Sequence, residues 1–230
     1  HKCGFYYESN AENFSKIPGS PVAYWVSENF IKAFENGTSL NNYCTIFEGL
    51  KTRDKERFVR LWFEIGNNKW KPYAKGGSFR RWYGNKEYVV KWGKDGTEIR
   101  NFKKSSGANF KYYYQPTITY SALTSYKFSG RYLEKSFFGG GGGGITNTEL
   151  INYILSFVNS NVYHYIINAI SPTLNFEVGQ IGTQPLIINQ QEKQTVEKIT
   201  EENIELSKTD WDSFETSWDF ERHPLINGEK

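Results

Sequence analysis

Six consecutive glycines at residues 139–144 constrain this chain more than any other feature, because none has a side chain to bury and each loses the most backbone entropy on ordering. The run predicts a flexible loop. Ile145 and Thr146 follow it where a Lys-Ser/Thr pair would be needed, so it does not read as a phosphate-cradling loop.

Before the glycines, Ser20-Pro21 has the form of an N-cap followed by proline at the first helical position. Val22, Trp25, Val26, Phe30 and Phe34 then recur near helical spacing up to Asn36-Gly37, which predicts a helix. Runs rich in β-branched and aromatic residues predict strands over 58–65, 87–92 and 117–120, separated by Gly and Asn turns. After the glycines, Thr146-Asn147-Thr148-Glu149 reads as a capping box. It opens one amphipathic helix carrying Leu150, Ile151, Ile154, Leu155, Val158, Val162, Ile166 and Ile170, which stops at Ser171-Pro172. Residues 190–206 predict a polar surface helix with Val196, Ile199 and Ile204 as its apolar positions. The tail 210–220 alternates acids with large rings and is expected to dock, on this chain or on another domain. The class these elements predict is α+β: a mixed twisted sheet with flanking helices and a helical, acidic C-terminal extension.

The 230 residues include no Met and open at His1, which predicts a piece of a longer protein. A chain of this length buries about 70% of its unfolded surface. Cys3 and Cys44 lack Cys-x-x-Cys spacing and are expected to be free thiols in a reducing cytosol. No apolar run approaches the roughly 20 residues of a membrane span, and the N-terminus lacks a signal-peptide pattern. A cytoplasmic protein with no membrane partner is the expectation.

The net charge of +3 hides a division. Residues 69–104 carry eleven Lys and Arg against three acids, whereas residues 189–230 carry five bases against eleven acids. In the basic segment, rings and glycines are interleaved with the charges, as in Lys69-Trp70-Lys71-Pro72-Tyr73. Such a mixture suits a polyanion with faces to stack on, and nucleic acid is the commonest example. A strand pair with a solvated basic face would read the same way. His1, His164 and His223 are far apart and no zinc-ligand spacing occurs, so no metal is expected. No nucleophile elbow or Cys-His pair is present. Asp54 and Glu56 among Arg53, Lys55, Arg57 and Arg60 read as loop charges that position phosphates rather than as a nuclease centre. The residues by themselves argue for binding without catalysis.

Three runs go further: residues 48–62 (EGLKTRDKERFVRLW), 72–85 (PYAKGGSFRRWYGN) and 210–225 (DWDSFETSWDFERHPL). Together and in this order they resemble the adenine-specific DNA methyltransferases of BREX phage-defence systems. Residues 156–160 (SFVNS), 175–179 (NFEVG) and Pro185-Leu186 also look like the Leu-Asn-Ser helix and exit segment of target-recognition domains, including those of type I restriction specificity subunits. The resemblance implies the target-recognition part of an enzyme that moves a methyl group from S-adenosylmethionine to adenine in double-stranded DNA. Its implied partners are duplex DNA, the methyltransferase domain of the same protein, and other BREX proteins. The Asn/Asp-Pro-Pro-Tyr/Phe tetrapeptide of such enzymes does not occur in this chain, so no catalytic residue and no cofactor are expected here. Two positions depart from the family pattern. Arg53 stands where Gly-Leu-x-Thr-Gly-Asp-Asn would place its second glycine, and the glycine run is foreign to it.

On this reading residues 1–21 are a linker, 22–188 a DNA target-recognition domain, and 189–230 an acidic helical docking extension. Lys75, Arg80, Lys103, Lys104 and Arg131 are expected to hold phosphates, and Arg53, Arg57 and Arg81 to read base edges. Trp82, Tyr83 and Tyr120 are expected to pack against sugars or a distorted stack as adenine flips, although Trp82 and Tyr120 read equally well as core. The rival functions are a non-catalytic DNA specificity subunit of a restriction or defence complex and a carbohydrate-binding module. The first would have no Asn-Pro-Pro-Tyr upstream in its gene; the second would bind oligosaccharide and show no salt-dependent DNA affinity.

Overall fold

A computed structural model describes residues 10, 12–102, 110–171 and 173–226, and it is α+β with antiparallel and mixed sheets. In chain order the elements are α1 (Glu12–Ser15), α2 (Glu28–Asn36), β1 (Thr38–Ser39), β2 (Thr45–Glu48), α3 (Lys55–Phe58), β3 (Val59–Leu61), β4 (Trp70–Ala74) and β5 (Tyr88–Lys91). Then follow α4 (Thr97–Asn101), β6 (Thr117–Ser121), β7 (Gly130–Leu133), β8 (Phe137–Phe138), β9 (Gly142–Thr146), α5 (Ile151–Asn159), α6 (Asn161–Ile170), α7 (Val178–Gly182), β10 (Pro185–Leu186) and α8 (Lys193–Asp212). One sheet is antiparallel in the order β2-β9-β6-β7. The other runs β3-β5-β4-β8, with only the β4–β8 pair parallel. A short β1–β10 ribbon completes the pairing.

The glycine run is not the loop expected of it. Residues 139–141 cross from one sheet to the other, and Gly142, Gly143 and Gly144 are three of the five residues of β9, a central strand paired to β2 on one edge and β6 on the other. Rings explain the composition. A side chain at Gly143 would strike the Tyr120 ring, one at Gly144 the Phe138 ring, and one at Gly139 the Tyr73 ring. Only glycine allows backbone and aromatic to approach this closely. Hydrogen bonds on both edges and ring burial offset the entropy that ordering costs.

The apolar faces of α5, α6 and α7 cover the first sheet, burying Ile118, Tyr120, Ile145, Leu155, Tyr163 and Ile181. A second, ring-dominated core lies against the other sheet, where Phe47 and Phe138 have centroids 4.9 Å apart. Ile17 packs with Phe30, Ile166 and Ala169 in a third cluster.

Several predicted boundaries move. Helix α2 begins at Glu28, because Ser27 supplies the cap by accepting the Phe30 N–H at 3.3 Å, while Ser20 sits at φ 45°. Thr146 ends β9 and Asn147 is left-handed (φ 58°), so the expected capping box does not form. The expected single helix is two: Ser160 ends α5 and caps α6, its hydroxyl accepting the Tyr163 N–H at 3.1 Å. Just before that break the buried Asn159 amide bonds both the N–H and C=O of Gly130, at 2.9 and 3.0 Å, locking the helix pair to β7. Pro172 lies outside the described residues. Of the predicted strand 58–65 only Val59–Leu61 is extended, since Trp62–Glu64 turns into a 3-10 helix closed by the Glu64 carboxylate on the Leu61 N–H. Helix α8 runs further than expected, to Asp212; Val196 and Ile204 pack on the main core, whereas Ile199 is exposed.

Cys44 is a free, buried thiol; Cys3 lies outside the described residues. Among the described residues no helix is long and apolar enough to cross a membrane, and no group of three or more His, Cys, Asp or Glu could hold a metal.

Candidate nucleic-acid interface

The connection from β2 into α3 faces the end of β4 and the glycine crossing, enclosing a cleft of about 700 Å³. Lys51, Arg53, Lys55 and Lys75 line it, with Gly140 and Gly141 forming part of its floor. Local structure fixes this wall. Asp54 caps the single turn of α3, accepting the Arg57 N–H at 3.1 Å, and the preceding Arg53 is left-handed at φ 58°. That is a conformation glycine adopts most readily, and here it is held by an exposed cation.

Lys75 is the most telling of the four. Its amine lies 4.6 Å from the Tyr88 ring centroid, and its pKa is lowered by burial first and by the charge of Lys55 second. Both lysines line the cleft, and among the described residues neither has a carboxylate within ion-pair distance. Such a pair is stabilised by an incoming anion. Lys51 is held by Glu48, and Asp54 and Glu56 also line the cleft, which keeps its net charge modest.

The other expected contact residues are distributed elsewhere. Arg57 turns outward onto Glu98, with Nε and Nη2 each 3.0 Å from the carboxylate, which Lys91 and Arg57 together hold below the usual carboxylate range. Arg80 pairs with Asp210 at 2.9 Å and stacks over Trp211, its guanidinium carbon 4.9 Å from the ring centroid. Tyr83 is buried beneath Lys86, whose amine donates to the phenol at 2.6 Å. Burial raises that phenol's pKa. Trp82 is left-handed (φ 70°) and stitched to β7, its N–H donating to Gly130 and its C=O accepting from Tyr132.

Tyr120 and Arg131 need correcting. They are 2% and 1% exposed, inside the core, where no duplex reaches them. The Arg131 guanidinium donates to the Arg80 carbonyl at 3.4 Å and to Ser121 Oγ at 3.3 Å, bracing the basic loop from beneath. Burial lowers its pKa to about 10, which leaves it charged at neutral pH. Lys103 and Lys104 lie outside the described residues.

Arg81 occupies a separate edge with Phe79, Tyr126, Lys127 and His164. Its guanidinium carbon is 5.5 Å from the Phe79 centroid, Phe79 meets Tyr126 edge-on at 4.8 Å, and burial followed by the charges of Lys127 and Arg81 lowers the His164 pKa. The sharing of one cleft by Lys55 and Lys75 and the placing of both Lys127 and Arg81 where their charges act on His164 were not among the expected contacts. Both pairs are distant in sequence, and only the charge cluster around Asp54 hinted at the first.

The acidic tail docks on this same chain. Trp211 is buried, Trp218 stacks on Trp62 at 6.0 Å and 20°, Trp62 Nε1 donates to the Thr216 carbonyl at 3.0 Å, and Asp219 lies 3.9 Å from Lys86. The tail therefore neutralises the Arg80–Lys86 part of the basic segment and leaves the Arg53–Lys55–Lys75 part open.

The cofactor implied for the parent enzyme finds no cradle in the glycines. The N–H groups of Gly139, Gly140 and Gly142 donate to Ala74, Leu50 and Gly139 carbonyls, and rings and Lys51 fill the space beside the run. A phosphate- or nucleotide-binding turn needs free N–H groups pointing at open space.

No family model matches this chain. It is 38% identical over 230 residues to the adenine-specific methyltransferase BrxX of Escherichia coli O9:H4 (strain HS), a match covering 93% of this chain and 18% of that protein. It is 35% identical over 249 residues to the adenine-specific methyltransferase PglX of Lacticaseibacillus casei (strain Zhang), covering 96% of this chain and 20% of that protein. The resemblance in the three motif-bearing runs thus extends over almost the whole chain, which corresponds to about a fifth of the length of the BrxX and PglX adenine-specific methyltransferases.

Proposed function

We propose that this chain is the duplex-DNA recognition part of an adenine-specific methyltransferase acting in BREX phage defence. The observation that carries the proposal is a cleft lined by Arg53, Lys55 and Lys75, in which among the described residues neither lysine is within ion-pair distance of a carboxylate. Phosphates of one strand lie against Lys55 and Lys75, and Arg53 reaches a base edge, where a guanidinium grips guanine O6 and N7. Arg81 and Lys127, with Phe79 and Tyr126 beside them, offer a second contact along the same duplex. Arg57 and Arg80 hold the wall and the tail. Tyr83, Trp82, Tyr120 and Arg131 support the loop from below. On this reading methyl transfer from S-adenosylmethionine is the work of other parts of the parent protein.

The match to adenine-specific methyltransferases along the chain supports this reading over a carbohydrate-binding module. The test is the double variant Lys55→Gln/Lys75→Gln in fluorescence anisotropy with a mixed-sequence duplex. Removing two phosphate contacts should lower the slope of log K against log salt by about 2. An unchanged slope would place the phosphates elsewhere.

A further inference from the structure

We infer that the chain carries a second nucleic-acid site, separate from the cleft: an aromatic pocket for one unpaired nucleotide of a DNA strand. The inference rests on the reading that this chain meets DNA. The pocket, of about 290 Å³, opens between β4, the turn after β5, and the segment preceding β6. Five rings line it, those of Trp92, Phe110, Tyr113, Tyr114 and Phe137, and its remaining lining residues are Lys71 and Lys94. Phe137 lies at the centre, with ring centroids 4.3 Å from Trp92, 5.2 Å from Tyr113 and 5.6 Å from Tyr114.

Two features distinguish this from an ordinary aromatic core. Tyr114 remains 44% exposed and is held left-handed at φ 66°, its N–H donating to the Ser136 carbonyl at 3.2 Å. A bulky residue in that conformation stores strain, and the strain here turns a ring to the mouth of a cavity. The second feature is charge. The Lys71 amine lies 6.0 Å from the Tyr114 centroid, and the Arg100 guanidinium carbon lies 4.4 Å from Phe110 and 5.4 Å from Trp92. Among the described residues no acid lines the pocket.

Aromatic boxes usually attract cations through their ring faces. In this one, basic side chains already stand over three of the rings and Lys94 stands at the rim, so a further cation would be repelled. The complementary ligand has a flat π-face and a negative charge, as a nucleobase with its phosphate does. The volume, at the lower end of the roughly 300–1,000 Å³ of small-molecule pockets, admits one base and no base pair. Lys71 and Lys75 are four residues apart along β4 and its end, about 13 Å at strand rise. A strand locally unpaired beside the cleft therefore passes within reach.

The test titrates the whole chain in parallel with a fluorescent oligo(dT) strand and with a mixed-sequence duplex. Tyr114→Asn removes the ring but keeps a residue that tolerates left-handed backbone, and Lys94→Gln removes an exposed cation. Each should weaken oligo(dT) binding at least about fivefold and leave duplex binding unchanged. Equal oligo(dT) affinity in wild type and variants, or equal weakening towards both DNAs, overturns the pocket. Loss of duplex binding with oligo(dT) binding still sensitive to Tyr114→Asn would instead sink the duplex reading and keep the pocket.

Discussion

Arg53 combines a conformational cost with a chemical use, and the two can be separated. Its left-handed backbone costs about 1–2 kcal/mol relative to the right-handed region. Glycine removes that cost while adding about 0.4–1 kcal/mol of unfolded-state entropy. Arg53→Gly should therefore leave the melting temperature unchanged or raise it slightly. The same variant should weaken the preferred duplex by about 1–3 kcal/mol, roughly five- to 150-fold. A melt and an anisotropy titration on one preparation check both, and a fall in stability would contradict the turn assignment. Cys44 gives a second expectation for a single side chain. Its thiol donates to the Leu40 carbonyl, and burial raises its pKa to about 12. The thiolate is the reactive form, so iodoacetamide at mildly alkaline pH should label Cys44 only after denaturation.

Among the elements, β9 decides whether the two sheets stay joined. A methyl group at Gly142 would fall against the Tyr120 carbonyl oxygen, which is backbone and cannot rotate away. Gly142→Ala should destabilise the fold by about 1–3 kcal/mol or more through overpacking, read as a shifted urea midpoint. A flexible glycine loop would predict almost no change. The tail's anchor is similarly testable: Trp211→Ala should cost about 3–5 kcal/mol, with faster amide exchange in α8. Elements with a plain period were legible in the residues: β5, β6, the apolar faces of α5 and α6, and α8. The glycine strand was not, because propensity counts only what glycine lacks, whereas β9 is held by what its neighbours bring, the rings of Tyr120 and Phe138. The Ser160 break was hidden because the apolar spacing continues across it. Of the candidate site, Arg53 and Lys75 could be picked from their motifs. The engagement of Arg57 and Arg80 in ion pairs and the burial of Tyr120 and Arg131 could not, since each depends on residues distant in sequence.

The whole molecule divides its charge by folding its acidic end onto half of its basic segment. Asp210 and Asp219 face Arg80 and Lys86, and the cleft around Lys55 and Lys75 is left as the open cationic site. Asp210→Asn/Asp219→Asn should raise duplex affinity at low salt severalfold by freeing those cations, an effect that added salt screens within a Debye length of about 10 Å at 0.1 M. No gain would mean that DNA never approaches that flank. The claim on which all of this depends is that the chain alone grips duplex DNA through phosphates, and the direct measurement is the anisotropy of a labelled mixed-sequence duplex titrated with wild-type chain between about 50 and 200 mM salt. The account predicts binding that weakens by a decade or more across that range; absent binding at the lowest salt, or affinity indifferent to salt, would contradict it.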